Sequence, residues 1–234
     1  MPILPTLVLL PGLDGTGDLF KPFIDALQPD IATITVDYSS PSHSTYAACQ
    51  AAALSRLPQQ GPFVLVGESF SGPIAIALAA SRPAGLRGVI LVGTFVTSPS
   101  RSLGWLAPLL RFTSTGRLPV SAMNRSLLGP FATPMLQSQL HSAIAKVSPE
   151  VYRGRLRAIS KVDVSADLAR VDVPMIYFRA AHDGMVPRSA SEQIAKFWPR
   201  LQIVDFDAPH MLLQCAPAAA ARATREFLDR ALAS

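Results

Sequence analysis

The chain has 234 residues, of which 49% are hydrophobic and 16% are charged, and its formal net charge is +5. It is long and apolar enough to bury a sizeable core in one domain, which excludes a disordered or low-complexity chain. No stretch approaches the roughly 18 uninterrupted apolar residues of a membrane span, so no span is predicted.

The two cysteines, Cys49 and Cys215, lie far apart and match neither a metal-binding spacing nor a disulfide framework. We therefore predict no metal site, and the cytoplasm, a reducing compartment, is the simplest location. The apolar start MPILPTLVLLPG lacks a basic leading segment and a small-residue cleavage site. It predicts a strand rather than a signal peptide.

Six short apolar runs of strand length recur along the chain, each bounded by turn residues. They are TLVLL at 6–10, IATITV at 31–36, FVLVG at 63–67, GVILVG at 88–93, PMIYF at 174–178 and LQIVDF at 201–206. Segments of helical character lie between or after them, at 18–28, 43–57, 70–81, 188–197 and 217–232. This alternation predicts an α/β fold with a parallel sheet covered by helices on both faces. In such sheets, functional sites form at the carboxyl ends of the strands.

The interval between the fourth and fifth runs is much longer than a single helix requires. It predicts an insertion, and we expect residues 97–161 to form a helical cap. The core would then comprise residues 1–96 and 162–234.

The third run leads into the turn GESFSG at 67–72, which precedes a helical segment. A strand, a tight turn with small residues and a helix are the context of a nucleophile elbow, with Ser69 at its apex. The common pattern has glycine where this chain has Ser71, and glycine follows at Gly72. The alternative is an ordinary turn in which Ser69 or Ser71 caps the helix. Glu68 either lines the entrance to such a site or bonds to the turn.

An elbow serine needs a base and a group that orients the base. Asp183 follows the fifth run in RAAHDGMVP, and His210 follows the sixth in DAPHMLL. The order Ser, Asp, His is that of a catalytic triad on an α/β sheet. We therefore predict Ser69, Asp183 and His210 as the catalytic residues. Taken alone, Asp183 is equally consistent with a turn-forming residue before Gly184, and His210 with a solvated imidazole in a loop.

Acyl transfer also requires donors for a developing oxyanion. The amide of Phe70, directly after the nucleophile at a helix amino end, is one candidate. The amide of Leu13, in the glycine-rich segment LPGLDGTGDLF after the first strand, is the other. The glycine spacing in that segment matches neither a dinucleotide-binding fingerprint nor a P-loop, so nucleotide binding is not predicted.

The segments LPGLDGTG, GESFSG, HDGMVP and PHMLL resemble the α/β-hydrolase fold family across nearly the whole chain. The resemblance implies a small, mostly parallel sheet of about six strands and an ester or thioester hydrolase with an acyl-enzyme intermediate and no cofactor. The family's nucleophile falls on Ser69, its acid on Asp183, its base on His210, and its oxyanion amides on Leu13 and Phe70.

Within that family, KVDVSADLARVDVPMIYFRAAHDGMVPRS and KFWPRLQIVDFDAPH are similar to segments of the methyl ester esterases that act on pimeloyl-acyl carrier protein in biotin synthesis. The elbow departs from the pattern of those esterases. Because a fold does not determine a function, a general carboxylesterase or thioesterase on small free acyl substrates remains an alternative. A non-catalytic ligand-binding protein on the same fold is the alternative from a different class.

The positive charge of the chain lies in the insertion: residues 101–161 carry nine basic residues and one acid, Glu150. A basic cap beside an active site would attract an acidic partner such as acyl carrier protein. The docking residues we predict are Arg111, Arg153, Arg157 and Lys161. A solvated helical face is the alternative, and nucleic acid is not predicted because no binding motif accompanies the charge.

The segment SLGWLAPLLRF at 102–112 adds large apolar side chains to the insertion. Trp105, Leu109 and Phe112 are candidates to roof an acyl pocket. Packing within the cap and contact with a membrane surface are the alternatives.

Overall fold

A computed structural model describes residues 4–99 and 120–233. The six predicted strands are present as β1 Thr6–Leu10, β2 Thr33–Thr35, β3 Phe63–Glu68, β4 Leu86–Val92, β5 Met175–His182 and β6 Gln202–Pro209. They form one sheet in the order β2-β1-β3-β4-β5-β6, and every neighbouring pair is parallel. The predicted α/β fold with a small parallel sheet is therefore confirmed.

The described helices include the five that the sequence predicts. The α-helices are α1 Lys21–Leu27, α2 Tyr46–Ser55, α3 Gly72–Ala80, α4 Val120–Leu127, α5 Pro134–Ala145, α6 Pro149–Ile159, α7 Ser165–Leu168, α8 Arg188–Phe197, α9 Leu212–Cys215 and α10 Pro217–Ala233. Two of the predicted helices open with a 3-10 turn, at Asp18–Phe20 and at Ser69–Ser71. None of the helices described is long and apolar enough to cross a membrane.

The sheet buries both of its faces, as a parallel sheet with uniformly apolar strands must. In β1, Val8 and Leu10 face the cluster that includes α2, α3 and α8. Leu7 and Leu9 face the opposite cluster, which includes α1 and α10. All four side chains are fully buried. Because successive side chains alternate between faces, one short strand contributes to both cores.

The two ends of the insertion are joined by backbone hydrogen bonds. Thr97 and Asp163 form an antiparallel bridge, and the Ser98 amide donates to the Val162 carbonyl at 2.8 Å. The apolar side of α5, including Leu140, packs on Leu19 after β1 and on Met211 after β6. Helix α5 therefore lies over the loops that follow the carboxyl ends of β1 and β6.

Candidate active site

The turn after β3 requires small residues at two positions. A Cβ atom at Gly67 would lie 2.8 Å from the Cβ of Ala75, and one at Gly72 would overlap the Thr94 side chain. Ser69 itself adopts a φ of 49°, in the left-handed region that non-glycine residues rarely enter. Such strain persists only where surrounding structure holds it, which is typical of functional sites.

Three side chains hold this turn in place, and the sequence did not indicate their roles. The Thr94 hydroxyl donates a hydrogen bond to the Ser69 carbonyl, and the Tyr177 hydroxyl donates to the Thr94 carbonyl at 2.8 Å. The buried Ser71 hydroxyl donates to the carbonyl of Pro11 in the loop after β1. Ser71 is therefore more than a small residue, because it joins the turn to that loop.

Ser69, His210 and Asp183 meet at the carboxyl ends of β3, β6 and β5. The Nε2 atom of His210 lies 2.9 Å from the Oγ of Ser69, and its Nδ1 atom lies 2.9 Å from both carboxylate oxygens of Asp183. The amides of Met185 and Val186 each donate to Asp183 Oδ1 at 2.8 Å. The carboxylate of Asp183 is thus fixed by its own loop and faces the imidazole.

The pKa of His210 lies above its usual value. Burial, the largest influence, would lower that pKa, but the charge of Asp183 and its hydrogen bond outweigh burial, and the charge of Glu68 adds to their effect. The site therefore favours an imidazole that can take up a proton, as a general base must.

Glu68 is buried next to Ser69, with 8% of its surface exposed. Its Oε1 atom accepts a hydrogen bond from Gln214 Nε2 on α9 at 3.0 Å. Burial raises the pKa of the Glu68 carboxyl to about 7, and the charge of Asp14 acts in the same direction. The sequence signal available was only an acid beside the elbow, because Gln214 lies 146 residues away.

The loop after β1 lies beside the turn of Ser69. A Cβ atom at Gly12 would be 3.9 Å from the Cβ of Ser69. Among the described residues, none accepts a hydrogen bond from the amide of Leu13, the next residue in this loop. Phe70 lies in the first turn that leads into α3, where backbone N–H groups lack partners within the helix. The Phe70 amide therefore directly follows Ser69 in the chain, and the loop that carries the Leu13 amide lies beside the turn of Ser69.

A buried arginine from the insertion supports the same loop. Arg155 on α6 is fully buried, and its guanidinium donates to the carbonyls of Leu13 at 2.8 Å and Asp14 at 3.0 Å. In the sequence, Arg155 counts only as part of the basic charge of the insertion. Arg155 is not one of the predicted docking residues, and its burial means that it cannot present its charge to a partner.

The predicted docking residues differ in exposure. Arg153 is half-buried and donates to Glu150 at 2.9 Å, whereas Arg157 and Lys161 are exposed. Arg111 and the predicted roof of the pocket, Trp105, Leu109 and Phe112, lie outside the described residues.

The remaining histidines do not join the site. His182 Nε2 lies 2.9 Å from the Asp207 carboxylate at the surface, and His141 lies on α5. His43 contributes its backbone carbonyl, which accepts from Arg155. In the described ranges, no group of three or more His, Cys, Asp or Glu side chains could hold a metal ion.

Comparison with known proteins identifies several relatives. The model of the alpha/beta hydrolase family matches residues 7–223. The chain is 25% identical over 226 residues to pyrrolizixenacetamide deacetylase of Xenorhabdus hominickii, covering 88% of this chain and 84% of that protein. It is 27% identical over 180 residues to pimeloyl-[acyl-carrier protein] methyl ester esterase of Aromatoleum aromaticum, covering 70% and 71%. The esterase EaEST of Exiguobacterium antarcticum has the same fold, with a TM-score of 0.83 at 15% identity, covering 98% of this chain and 93% of that one.

Proposed function

Because the chain belongs to the alpha/beta hydrolase family, we propose that it hydrolyses a carboxylic ester through an acyl-enzyme, with Ser69 as nucleophile. His210 acts as the general base and Asp183 orients it. The observation that carries this proposal is the imidazole of His210, which lies 2.9 Å from both Ser69 Oγ and the Asp183 carboxylate. These residues directly follow three separate strands, and their distances are those of productive proton transfer.

In the first half of the reaction, His210 Nε2 takes the proton of Ser69 as Oγ bonds to the ester carbonyl carbon. The carbonyl oxygen becomes an oxyanion that accepts hydrogen bonds from the amides of Leu13 and Phe70. The intermediate collapses, the bond to the alcohol oxygen breaks, and the alcohol leaves with the proton from His210. Asp183 stabilises the imidazolium that forms between these two transfers.

In the second half, water attacks the acyl-enzyme while His210 takes its proton. The resulting oxyanion uses the same two amides. Collapse breaks the bond to Ser69 Oγ, which regains a proton from His210, and the carboxylic acid is released. These steps balance with the ester, one water molecule and the side chains of Ser69 and His210.

Serine labelling and ester turnover test this assignment together. A fluorophosphonate should label the wild-type protein on Ser69, and p-nitrophenyl acetate should be hydrolysed. Ser69→Ala should abolish both, with the folded state retained. Ser55→Ala, which removes an exposed hydroxyl bonded only to its own helix, is the matched control and should keep both. Labelling and turnover that survive Ser69→Ala would refute the proposal, and a folded wild type without labelling would point to a non-catalytic protein.

We further propose that residues 97–161 form a cap and that the substrate is an acyl ester carried on an acidic acyl carrier protein. A relative named as a pimeloyl-[acyl-carrier protein] methyl ester esterase supports this substrate class. The exposed side chains of Arg157 and Lys161, at the end of α6 and just after it, supply positive charge for docking. Arg153, which is bonded to Glu150, contributes less.

The rate on a carrier-bound methyl ester, compared with the same ester free in solution at low and raised salt, tests this docking. We expect a preference for the carrier that fades with salt and that Arg157→Glu with Lys161→Glu removes. Arg222→Glu, an exposed change on α10 at the opposite face of the sheet, is the control and should keep the preference. Equal rates on both esters, indifferent to salt, would instead indicate a general carboxylesterase or thioesterase for small acyl substrates.

A further inference from the structure

Arg155 is unusual among the charged side chains because it is fully buried. Its guanidinium donates to four backbone carbonyls in two loops, those of Leu13, Asp14, Tyr38 and His43. Within the described ranges, no carboxylate forms an ion pair with it. A buried cation is costly unless its hydrogen bonds are satisfied, so these carbonyls account for its placement.

Two glycines allow the close approach between α6 and the loops that Arg155 binds. A Cβ atom at Gly15 would lie 2.5 Å from Arg155 Nη1, and the φ of Gly15 is 72°. On the helix itself, a Cβ atom at Gly154 would lie 2.7 Å from the Cβ of Ser44. Glycine is unfavourable inside a helix, so its presence in α6 indicates that close approach between the helix and the loop is required.

Arg155 also contacts both residues whose amides we assign to the oxyanion. It donates to the carbonyl of Leu13 at 2.8 Å, and its guanidinium lies 5.9 Å from the ring centroid of Phe70. The ring of Tyr46 also stacks on the ring of Phe70, with the two centroids 4.6 Å apart. One side chain therefore joins the insertion to both halves of the oxyanion site.

We propose that Arg155 is a positioning residue that holds the Leu13 amide at the oxyanion site, so that the placement of α6 controls the rate of ester cleavage. This inference rests on the proposed function. Arginine suits this task because its planar fork can bond several carbonyls at once, whereas a lysine ammonium cannot reproduce that geometry. A displacement of about 1 Å in a catalytic group can cost about 100-fold in rate.

Arg155→Lys tests the proposal while keeping the positive charge. We expect kcat per fluorophosphonate-titrated site to fall about 10- to 100-fold, with KM within about three-fold of wild type. An alkylboronic acid, which mimics the tetrahedral intermediate by bonding to Ser69 Oγ, should lose affinity by a similar factor. Arg222→Lys, on the exposed side of α10, is the control and should keep wild-type values. A purely structural role would reduce the titrated fraction without changing the rate per titrated site.

Gly15→Ala provides a second variant that leaves Arg155 in the sequence but displaces its guanidinium. Gly61→Ala is matched to it, because Gly61 has a φ of 80° but a Cβ atom there would meet no other atom within 4 Å. We expect Gly15→Ala to lower kcat and Gly61→Ala to leave it unchanged. The kcat of the double variant Gly15→Ala/Arg155→Lys should be only slightly below that of the slower single variant, since both changes remove the same contact.

The outcomes separate this inference from the proposed function. Wild-type kcat in both Arg155→Lys and Gly15→Ala would overturn the positioning role while Ser69-dependent hydrolysis stands. If Arg155→Lys does not fold, the kcat values of Gly15→Ala and Gly61→Ala test the positioning role instead. Equal kcat values in these two variants would overturn the proposal. Absence of Ser69-dependent hydrolysis in the wild type would refute the proposed function itself, and the inference with it.

Discussion

Glu68→Gln replaces a buried carboxyl with an amide of the same size that can still accept the hydrogen bond from Gln214 Nε2. Burial raises the pKa of Glu68 from 4.5 to about 7 in the folded protein. Between these two values, the folded state binds a proton that the unfolded state has released. The free energy of unfolding of the wild type should therefore fall as pH rises through this window, and the loss should be complete above about pH 7.

The size of this loss follows from the pKa difference. A change from 4.5 to about 7, at about 1.4 kcal/mol per unit, corresponds to about 3 kcal/mol. The glutamine variant carries no ionisable group at this position and avoids the loss. We expect Glu68→Gln to gain about 3 kcal/mol of stability over the wild type between about pH 4 and pH 8.

Urea denaturation of both proteins at several pH values measures this difference. Glu226→Gln, which removes an exposed carboxyl on α10, is the control and should show no comparable pH-dependent gain. In the same variants, the acid limb of the kcat/KM profile reports on His210. Because the charge of Glu68 contributes to the raised pKa of His210, Glu68→Gln should move that limb to lower pH. A stability difference that does not change with pH would refute this account of Glu68.

Three further predictions concern the site and the turn that carries it. Asp183→Asn should reduce kcat about 10⁴-fold while the protein stays folded, because an amide cannot hold the productive tautomer of His210. Steady-state kinetics measures this loss, and a decrease in kcat of less than ten-fold would contradict the prediction. In the wild type, kcat/KM should fall on acidification with a midpoint above pH 6.5, because His210, whose pKa is raised, must be protonated before the general base is lost. A pH–rate profile with a midpoint below pH 6.5 would argue against this. Gly72→Ala should lower the free energy of unfolding by at least about 2 kcal/mol, because the added Cβ would overlap the Thr94 side chain. Urea denaturation measures this, and an unchanged urea midpoint would show that the turn can relax.

Much of the sheet could be predicted because its signals are local. Apolar runs bounded by turn residues mark buried strands, and all six lie where the sequence places them. The meeting of Ser69, Asp183 and His210 also followed from local placement. Each comes at or after the carboxyl end of a strand, and parallel strands bring those ends to one edge of the sheet. Strand type and strand direction were therefore sufficient to predict that these three side chains lie close together.

The strand order and the partners of buried polar groups required the tertiary structure. Arg153, Arg155 and Arg157 look alike in the sequence, yet Arg155 is fully buried and Arg157 is exposed. The difference depends on the loop that meets α6, and the Leu13 carbonyl that Arg155 binds lies 142 residues away. Glu68 likewise acquires its raised pKa only when α9 and the loop after β1 enclose it. Burial and hydrogen bonding are properties of the surroundings of a side chain, and residues distant in sequence supply those surroundings only after the chain has folded.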